Sequence, residues 1–510
     1  MADDNIRIAK NTLYLAIRMV LVLVVSLYTS RVILESLGVS DFGIYNVVAG
    51  FVSMFAFINN AMTTGVQRFY NFELGKNGLE GAQRVFNTSI WTQFALAFII
   101  VVITESVGLW YINNKMVIPE NRLDAALWIF HFSVGALFIN IMSVPFTASI
   151  MAHEKMSVYA YLSVFDAIAK LLIAVSLPYI QMDKLIIYGL LLLLVSIIIF
   201  LINIFYARFS FCEVRLKRVF HKELFKDLLS FSGWNIIGKF AIVMKGQGLN
   251  MILNLFFGPV VNAARGIAYQ VNSALNGFVS TVTIAVKPQM TQSYAQGNIS
   301  RTFHLMFSIS KLCSIILILL AIPLCLEIDF VLSLWLGKSV PEYTNIFILL
   351  IFLSTFVSNL NAPVSFVVHA TGKMKKYQIV TSLIEILMIP SSFVILKLGA
   401  EPWVVFIVEF VFVILGHLAS LIILKNILYY SLKDYLKDIV IPLLFLSIIT
   451  SLIGCLCKFM LQEGFLRLVL IISITSITCV FLSFMFVLNR QEKETVASFL
   501  NRLPIHIREK

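Results

Sequence analysis

The residues best placed to do chemistry lie between Phe231 and Lys287. Two long apolar stretches there are joined by the turn Phe257–Gly258–Pro259. At about 100° per residue, Ser232, Asn235, Lys239, Gly246, Asn250 and Asn254 fall on one stripe of the first helix. Asn262, Arg265, Tyr269, Ser273, Asn276, Ser280, Thr283 and Lys287 form a second stripe on the next. Nearer the N-terminus, Asn46, Gly50, Ser53, Asn60, Thr64 and Gln67 form a third. An apolar helix with a continuous polar stripe faces a water-filled space or a polar partner. Amides, hydroxyls and cations on such stripes suit non-covalent binding of a polar, anionic solute, and we read them as the wall of a hydrated cavity.

An ionised side chain at bilayer depth costs about 2.5–3.5 kcal/mol, so each one needs a reason. Arg18 lies about 10 Å into the first helix, at 1.5 Å per residue, on a stripe with Asn11, Tyr14 and Thr29. Lys239 has a similar depth and also lies on its stripe. Arg265 and Arg31 lie nearer the far face, where snorkelling to the headgroups is the plain alternative. Lys245 sits about 120° off its stripe, so it is either paired locally or a further cation of the cavity. Gly246–Gln247–Gly248 beside it weakens the helix and allows a bend. Among the acids, Asp166 is four residues from Lys170, the spacing of a self-neutralising pair. Glu385 and Glu409 have no obvious partner nearby in the sequence and could neutralise cations or carry a coupling ion. Intramembrane charges could also pair with one another and only hold the fold. Against that, cations on the striped helices outnumber acids, and phosphates and carboxylates suit Arg and Lys donors.

No catalytic chemistry is signalled. The seven histidines lack zinc-ligand spacing. No nucleophile elbow, phosphate-binding loop or HExxH occurs. The six cysteines read as free thiols packed as small apolar groups. We expect no catalytic residue, no metal and no cofactor beyond coupling to Na+ or H+.

The elements that must position these residues are membrane helices. Of 510 residues, 59% are apolar and 13% charged, far from the half and quarter of a soluble domain. Spans of about 20 apolar residues occur near 11–36, 42–66, 86–109, 124–151, 156–180, 184–206, 230–257, 260–286, 303–326, 344–370, 376–397, 402–424, 439–460 and 466–488. The net charge of +12 does not point to nucleic acid. With a cytoplasmic N-terminus, about 25 of the 39 Lys and Arg fall on that side, which is the positive-inside bias and also places the C-terminus there. The densest block, Arg208–Lys226, alternates charges with Val214, Val219, Phe220, Leu224 and Phe225 and reads as an amphipathic helix on the anionic surface, or else as a solvated linker. No short apolar core with a cleavage site follows Met1–Asn11, so we expect no removable signal peptide.

The chain repeats itself. A shift of 220 places Asn11–Gly38 on Phe231–Gly258 without a gap. A shift of 218 places Pro145, Ala152, Lys155, Met156 and Tyr159 on Pro363, Ala370, Lys373, Met374 and Tyr377. Both prolines remove a backbone hydrogen bond and should kink their helices. The unit is six helices, an even number, so the copies are related by a pseudo-two-fold axis along the membrane normal. We therefore expect an all-α integral membrane protein of about 14 helices. Residues 1–208 form an N-lobe, 209–229 a cytoplasmic amphipathic linker, 230–430 a C-lobe, and 431–510 two further helices and a cytoplasmic tail.

Leu34–Gly38 with Phe42–Gly43–Ile44–Tyr45, the Pro145…Ala152…Lys155 run with its Pro363 copy, and Gly258–Arg265–Gly266 resemble the multidrug/oligosaccharidyl-lipid/polysaccharide (MOP) exporter superfamily. Within it the chain looks like the polysaccharide-transporter branch, the Wzx-type O-antigen and capsule flippases. The resemblance implies a cleft that opens alternately to either side. It implies a lipid-linked oligosaccharide substrate, on undecaprenyl diphosphate, in the bacterial inner membrane. It places Arg18, Lys239 and Arg265, with Lys245, at the diphosphate. It puts Asn46, Ser53, Asn60, Asn235, Ser273, Asn276 and Ser280 at the sugars, and leaves Glu385, Glu409 and Asp166 for ion coupling. It implies a monomer whose partners are membrane lipids and other glycan-assembly proteins. The drug-exporter branch often has a carboxylate in its first helix; here that helix has Arg18, and its only acid is Glu35 at the far end. A cation-coupled small-molecule exporter is the first alternative. A membrane enzyme of glycan assembly is the second, for which the loops Ile112–Leu123 and Glu327–Tyr343 are small and plain.

Overall fold

The computed structural model describes residues 2–153, 155–217, 221–337 and 340–494, and the side chains of most of them. Among these every regular element is a helix. The first helical stretch, Ala2–Ser53, contains one non-helical residue, Gly38 (φ 81°, ψ 166°). The next, Ala56–Asn114, contains Gly78 (φ 62°, ψ −149°). Cut at these glycines, the stretches give α1 (2–37), α2 (39–77, with a turn at 54–55) and α3 (79–114). The chain continues through α4 (Leu123–Met142, resuming as Val144–Ala152), α5 (Met156–Ser176) and α6 (Lys184–Ser210). Then come α7 (Lys222–Phe257), α8 (Pro259–Ala295) and α9 (Ile299–Leu326). After a short helix, Ile328–Leu336, follow α10 (Thr344–Ala370), α11 (Met374–Lys397) and α12 (Val404–Ile427). The last two are α13 (Leu432–Met460) and α14 (Phe465–Val487). Each overlays a span expected from sequence. Among the described residues, 11 stretches are long and apolar enough to cross a membrane, α1 and the start of α2 counting as one.

The repeat is visible in the backbone. Gly258, between α7 and α8, has φ 75° and ψ −170°, close to Gly38 between α1 and α2. Both lie in the left-handed half of the map, which a residue with a Cβ reaches only at a cost. The two prolines differ. α4 breaks at Ser143, just before Pro145, whereas α10 runs on through Pro363.

The chain forms two compact units. Unit 1 comprises Met1–Ile267, Trp335–Tyr343 and Ile389–Pro402; unit 2 comprises Ala268–Leu334, Thr344–Met388 and Trp403–Lys510. The boundary falls inside α8, so unit 1 holds α1 to α7 and the first turns of α8.

The linker differs from the amphipathic helix expected over Arg208–Lys226. α6 stops at Ser210, 211–217 is non-helical, and α7 starts at Lys222; residues 218–220 lie outside the described residues. Tertiary contacts override the helical spacing. Buried Glu213 accepts a hydrogen bond from Tyr70 (2.9 Å) and stands 3.1 Å from His153 Nε2. Asn87 accepts from the Lys217 N–H (2.5 Å) and donates to the Arg215 carbonyl (3.2 Å). Phe211 and Val214 are buried, while Phe209 and Leu216 stay exposed.

Candidate functional site: a polar seam on α2, α7 and α8

Apolar helices gain little by meeting one another in lipid, because lipid tails are as apolar as leucine. Close approach of small residues and interhelical hydrogen bonds decide which faces join. In unit 1 the polar stripe of α2 is such a face. Gly43, Asn46, Gly50 and Ser53 follow at intervals of three and four, on one side of the helix. A Cβ on Gly43 would stand 1.9 Å from the Pro259 carbonyl oxygen, at the start of α8. One on Gly50 would stand 2.6 Å from Gln247 Oε1 and 2.8 Å from Asn250 Nδ2 on α7. On the other side, a Cβ on Gly266 would stand 2.8 Å from Asn46 Oδ1. Glycine is needed at the Gly43 contact, where the neighbour is backbone; at Gly50 and Gly266 the neighbours are side-chain amides seated against the glycine.

Hydrogen bonds close the seam. Asn250 Nδ2 donates to the Asn46 carbonyl (3.2 Å), and Gln247 Nε2 donates to Ser53 Oγ (3.1 Å). Asn262, fully buried on α8, donates to the Asn250 carbonyl (2.7 Å) and to Asn250 Oδ1 (2.8 Å). Arg265, only 7% exposed, donates from Nη2 to the Gly246 carbonyl at 2.6 Å. Two oxygens on the seam, Gln247 Oε1 and Asn262 Oδ1, are buried without a hydrogen-bond partner. Further along α7, Asn254 accepts from the Val117 N–H (3.0 Å) and fixes the loop after α3.

The expected site residues distribute as follows. Arg265, Asn46 and Ser53 belong to the seam; Asn46 also donates its Nδ2 to its own helix at Phe42 (2.8 Å). Lys245 is half-buried on α7. The side chains of Arg18, Lys239, Asn60 and Asn235 lie outside the described residues. In unit 2, Ser273 and Ser280 are exposed on α8, and Ser280 bonds to the Gly277 carbonyl (2.9 Å). Asn276 donates to Asn272 Oδ1 (3.3 Å), which also accepts from Thr355 (2.8 Å). Glu409, buried on α12, accepts from the Tyr269 hydroxyl at 3.1 Å. Glu385 is half-buried on α11. Asp166 pairs with Lys170 Nζ at 2.7 Å.

Sequence reasoning put Asn250 and Asn262 on the stripes without assigning them a role, and saw Gln247 only as part of a weak helical turn. It missed a second polar centre of unit 1 altogether. Arg122, before α4, binds Asp41 on α2 through Nε (2.8 Å) and Nη2 (2.5 Å). It binds Asp183 through Nη1 (2.5 Å) and Nη2 (3.2 Å). Asp183 is also the N-cap of α6, accepting from the Leu185 and Ile186 N–H groups. Burial pushes its carboxyl up, but the guanidinium and the helix N–H groups outweigh that and hold it below the usual range. No spacing rule finds this centre, because its members are 81 and 61 residues apart. Among the described residues, no group of three or more His, Cys, Asp or Glu could hold a metal ion.

Comparison with known proteins places this architecture. The fold is that of the MOP-superfamily transporters, an all-α, multi-pass membrane fold. The chain is similar to the lipid II flippase MurJ in an inward closed conformation, at 14% identity and a TM-score of 0.68, over 94% of this chain and 98% of that one. It is similar to an inward-facing multidrug-resistance MATE-family transporter at 14% identity and a TM-score of 0.57, over 82% and 95%. It is also similar to a MOP-superfamily transporter from Pyrococcus furiosus at 13% identity and a TM-score of 0.59, over 82% and 96%. No protein-family model matches the chain, and no curated protein matches its sequence.

Proposed function

We propose that the protein is a flippase that carries a lipid-linked oligosaccharide, on undecaprenyl diphosphate, across the bacterial inner membrane by alternating access. Its termini face the cytoplasm, it acts as a monomer, and it catalyses no covalent step. Arg18, Lys239, Arg265 and Lys245 meet the diphosphate. Amides and hydroxyls of the stripes, among them Asn46, Ser53, Asn60, Asn235, Ser273, Asn276 and Ser280, meet the sugars.

One observation carries the reading. The likeness to the flippase takes in 94% of this chain, against 82% for the drug exporter, whose own chain is by then 95% used. The likeness in fold thus extends over more of this chain for the flippase than for the exporter, and this supports the flippase reading. The cation excess fits a diphosphate, because guanidinium and ammonium groups match its oxygens in charge and geometry.

Buried Glu409, hydrogen-bonded to Tyr269, favours coupling to Na+ or H+ and supports a second reading, a cation-coupled small-molecule exporter. Glu385 and Asp166 are the other acids for that role. Reconstituted vesicles separate the two readings. A flippase moves a fluorescent polyprenyl-diphosphate oligosaccharide between leaflets, and Arg18→Gln or Lys239→Gln slows it at unchanged protein level. Normal movement in both variants, or movement of cationic dyes alone, contradicts the flippase.

A further inference from the structure

We propose that His153 and Glu213 form a proton-binding site, and that the proton they share fastens the linker 211–217 to the body of unit 1. The site is separate from the polar seam and does not depend on which solute the protein carries.

The hydrogen-bonding groups require the proton. His153 Nδ1 lies 2.9 Å from the Ser149 carbonyl oxygen, and Nε2 lies 3.1 Å from Glu213 Oε1. Both neighbours are pure acceptors when Glu213 is ionised. A neutral imidazole has one N–H and one bare nitrogen, so one ring nitrogen would then face an oxygen lone pair to lone pair. One added proton removes that repulsion. Either the imidazolium donates from both nitrogens, or a protonated Glu213 donates to Nε2. The Tyr70 hydroxyl donates to the same Oε1 at 2.9 Å and leaves the count unchanged.

The surroundings favour the imidazolium. His153 is the C-cap of Val144–Ala152, where the last helix carbonyls carry partial negative charge. The Phe211 ring lies against the imidazole, with centroids 4.0 Å apart and planes at 20°, and an aromatic face attracts a cation. The Glu213 side chain is 1% exposed, and a carboxylate buried so deeply must be paired or neutral. The titratable groups in contact with the imidazole are Glu213 on the linker and Tyr70 on α2. Arg68 on α2, Lys155 after α4, and Arg215 and Lys217 on the linker are exposed, and α3 presents the uncharged Asn87 to the linker. Glu154 lies outside the described residues. The imidazole itself is 22% exposed, so water can deliver and remove the proton.

Loss of the proton sets a buried carboxylate against a bare ring nitrogen. The docked linker is therefore stabilised at low pH and loosens as the pH rises. The linker leads directly into α7, which carries the seam, so the site governs how firmly the start of α7 is tethered to α4.

The test is hydrogen–deuterium exchange on the full-length protein in lipid nanodiscs, from about pH 5 to about pH 9, which brackets the range in which histidines exchange their proton. Protection of the peptide spanning 211–217 is read after correction for the intrinsic pH dependence of amide exchange. Past the midpoint we expect protection to fall about tenfold per pH unit, the slope of one proton. In Glu213→Gln the amide accepts from Tyr70 and donates to His153 Nε2, so no added proton is needed and protection should not change with pH. In His153→Phe the ring stacking is kept but the carboxylate loses its partner, so protection should be low at every pH. Flat protection in the wild type overturns the site. So does a slope that survives in Glu213→Gln, or wild-type protection at low pH in His153→Phe.

Discussion

The polar stripe of α8 changes character along its length. In unit 1, Asn262 and Arg265 are buried and spend their donors on α7. In unit 2, Ser273 and Ser280 of the same helix are exposed, and Asn276 bonds only one turn back along α8. A helical wheel treats all five alike. Which part of a stripe is seam and which is open surface depends on the neighbour: Gly43 of α2 meets the backbone at Pro259, and Gly266 of α8 receives Asn46 of α2. Polarity thus marks a face that must avoid lipid, and small residues on the facing helix mark where that face is sealed.

The sharpest way to break this contrast is to deny the seam its close approach. Gly43→Val forces side-chain carbons onto the Pro259 carbonyl, a backbone atom that cannot swing aside. We expect a loss of about 3 kcal/mol or more, or no folded protein, by thermal unfolding in detergent. Ser280→Val, on the exposed part of α8, should stay within about 0.5 kcal/mol. Equal losses would erase the distinction.

Next in size is Arg122→Ala. It strands Asp41 and Asp183 without their cation, and we expect a loss of about 2 kcal/mol, below the 3–5 of a fully buried pair because both acids are partly solvated. The pH dependence has a definite sign. The Asp183 carboxyl lies below its ordinary value of 3.8 in the folded protein. Its stabilisation is therefore complete above that value and is lost as the pH falls through the lower, folded one. Unfolding midpoints from pH 6 down to 3 should show the wild type losing stability at the acid end, and the variant losing less there.

A functional effect is expected at Glu409→Gln. If Glu409 carries the coupling ion, ion-driven movement of the lipid-linked probe falls about tenfold, a coupling of 1–3 kcal/mol, with unfolding little changed. Asp166→Asn is expected to do less, because Asp166 is already paired with Lys170. The smallest effect is at Ser273→Ala, under about 0.5 kcal/mol in stability, because its hydroxyl is exposed.

Much of the fold was legible in the sequence because membrane helices announce themselves by length and hydropathy. The repeat was legible because the left-handed turn at Gly38 recurs at Gly258 and needs a glycine each time. The linker departs from the amphipathic helix because apolar residues among charges signal a surface helix in sequence, while what holds 211–217 is the long-range burial of Glu213 against Tyr70 and His153. The site was half legible. The stripes named Asn250 and Asn262 as polar, but only coordinates show Gly50 opposite Asn250 and Gly266 opposite Asn46.

The flippase reading stands or falls on where its lipid waits when the protein is gone. In cells with the gene deleted, the undecaprenyl-linked glycan should accumulate on the cytoplasmic leaflet and clear when the wild-type chain is restored. Normal levels of that lipid, with surface glycan unchanged, would contradict the account.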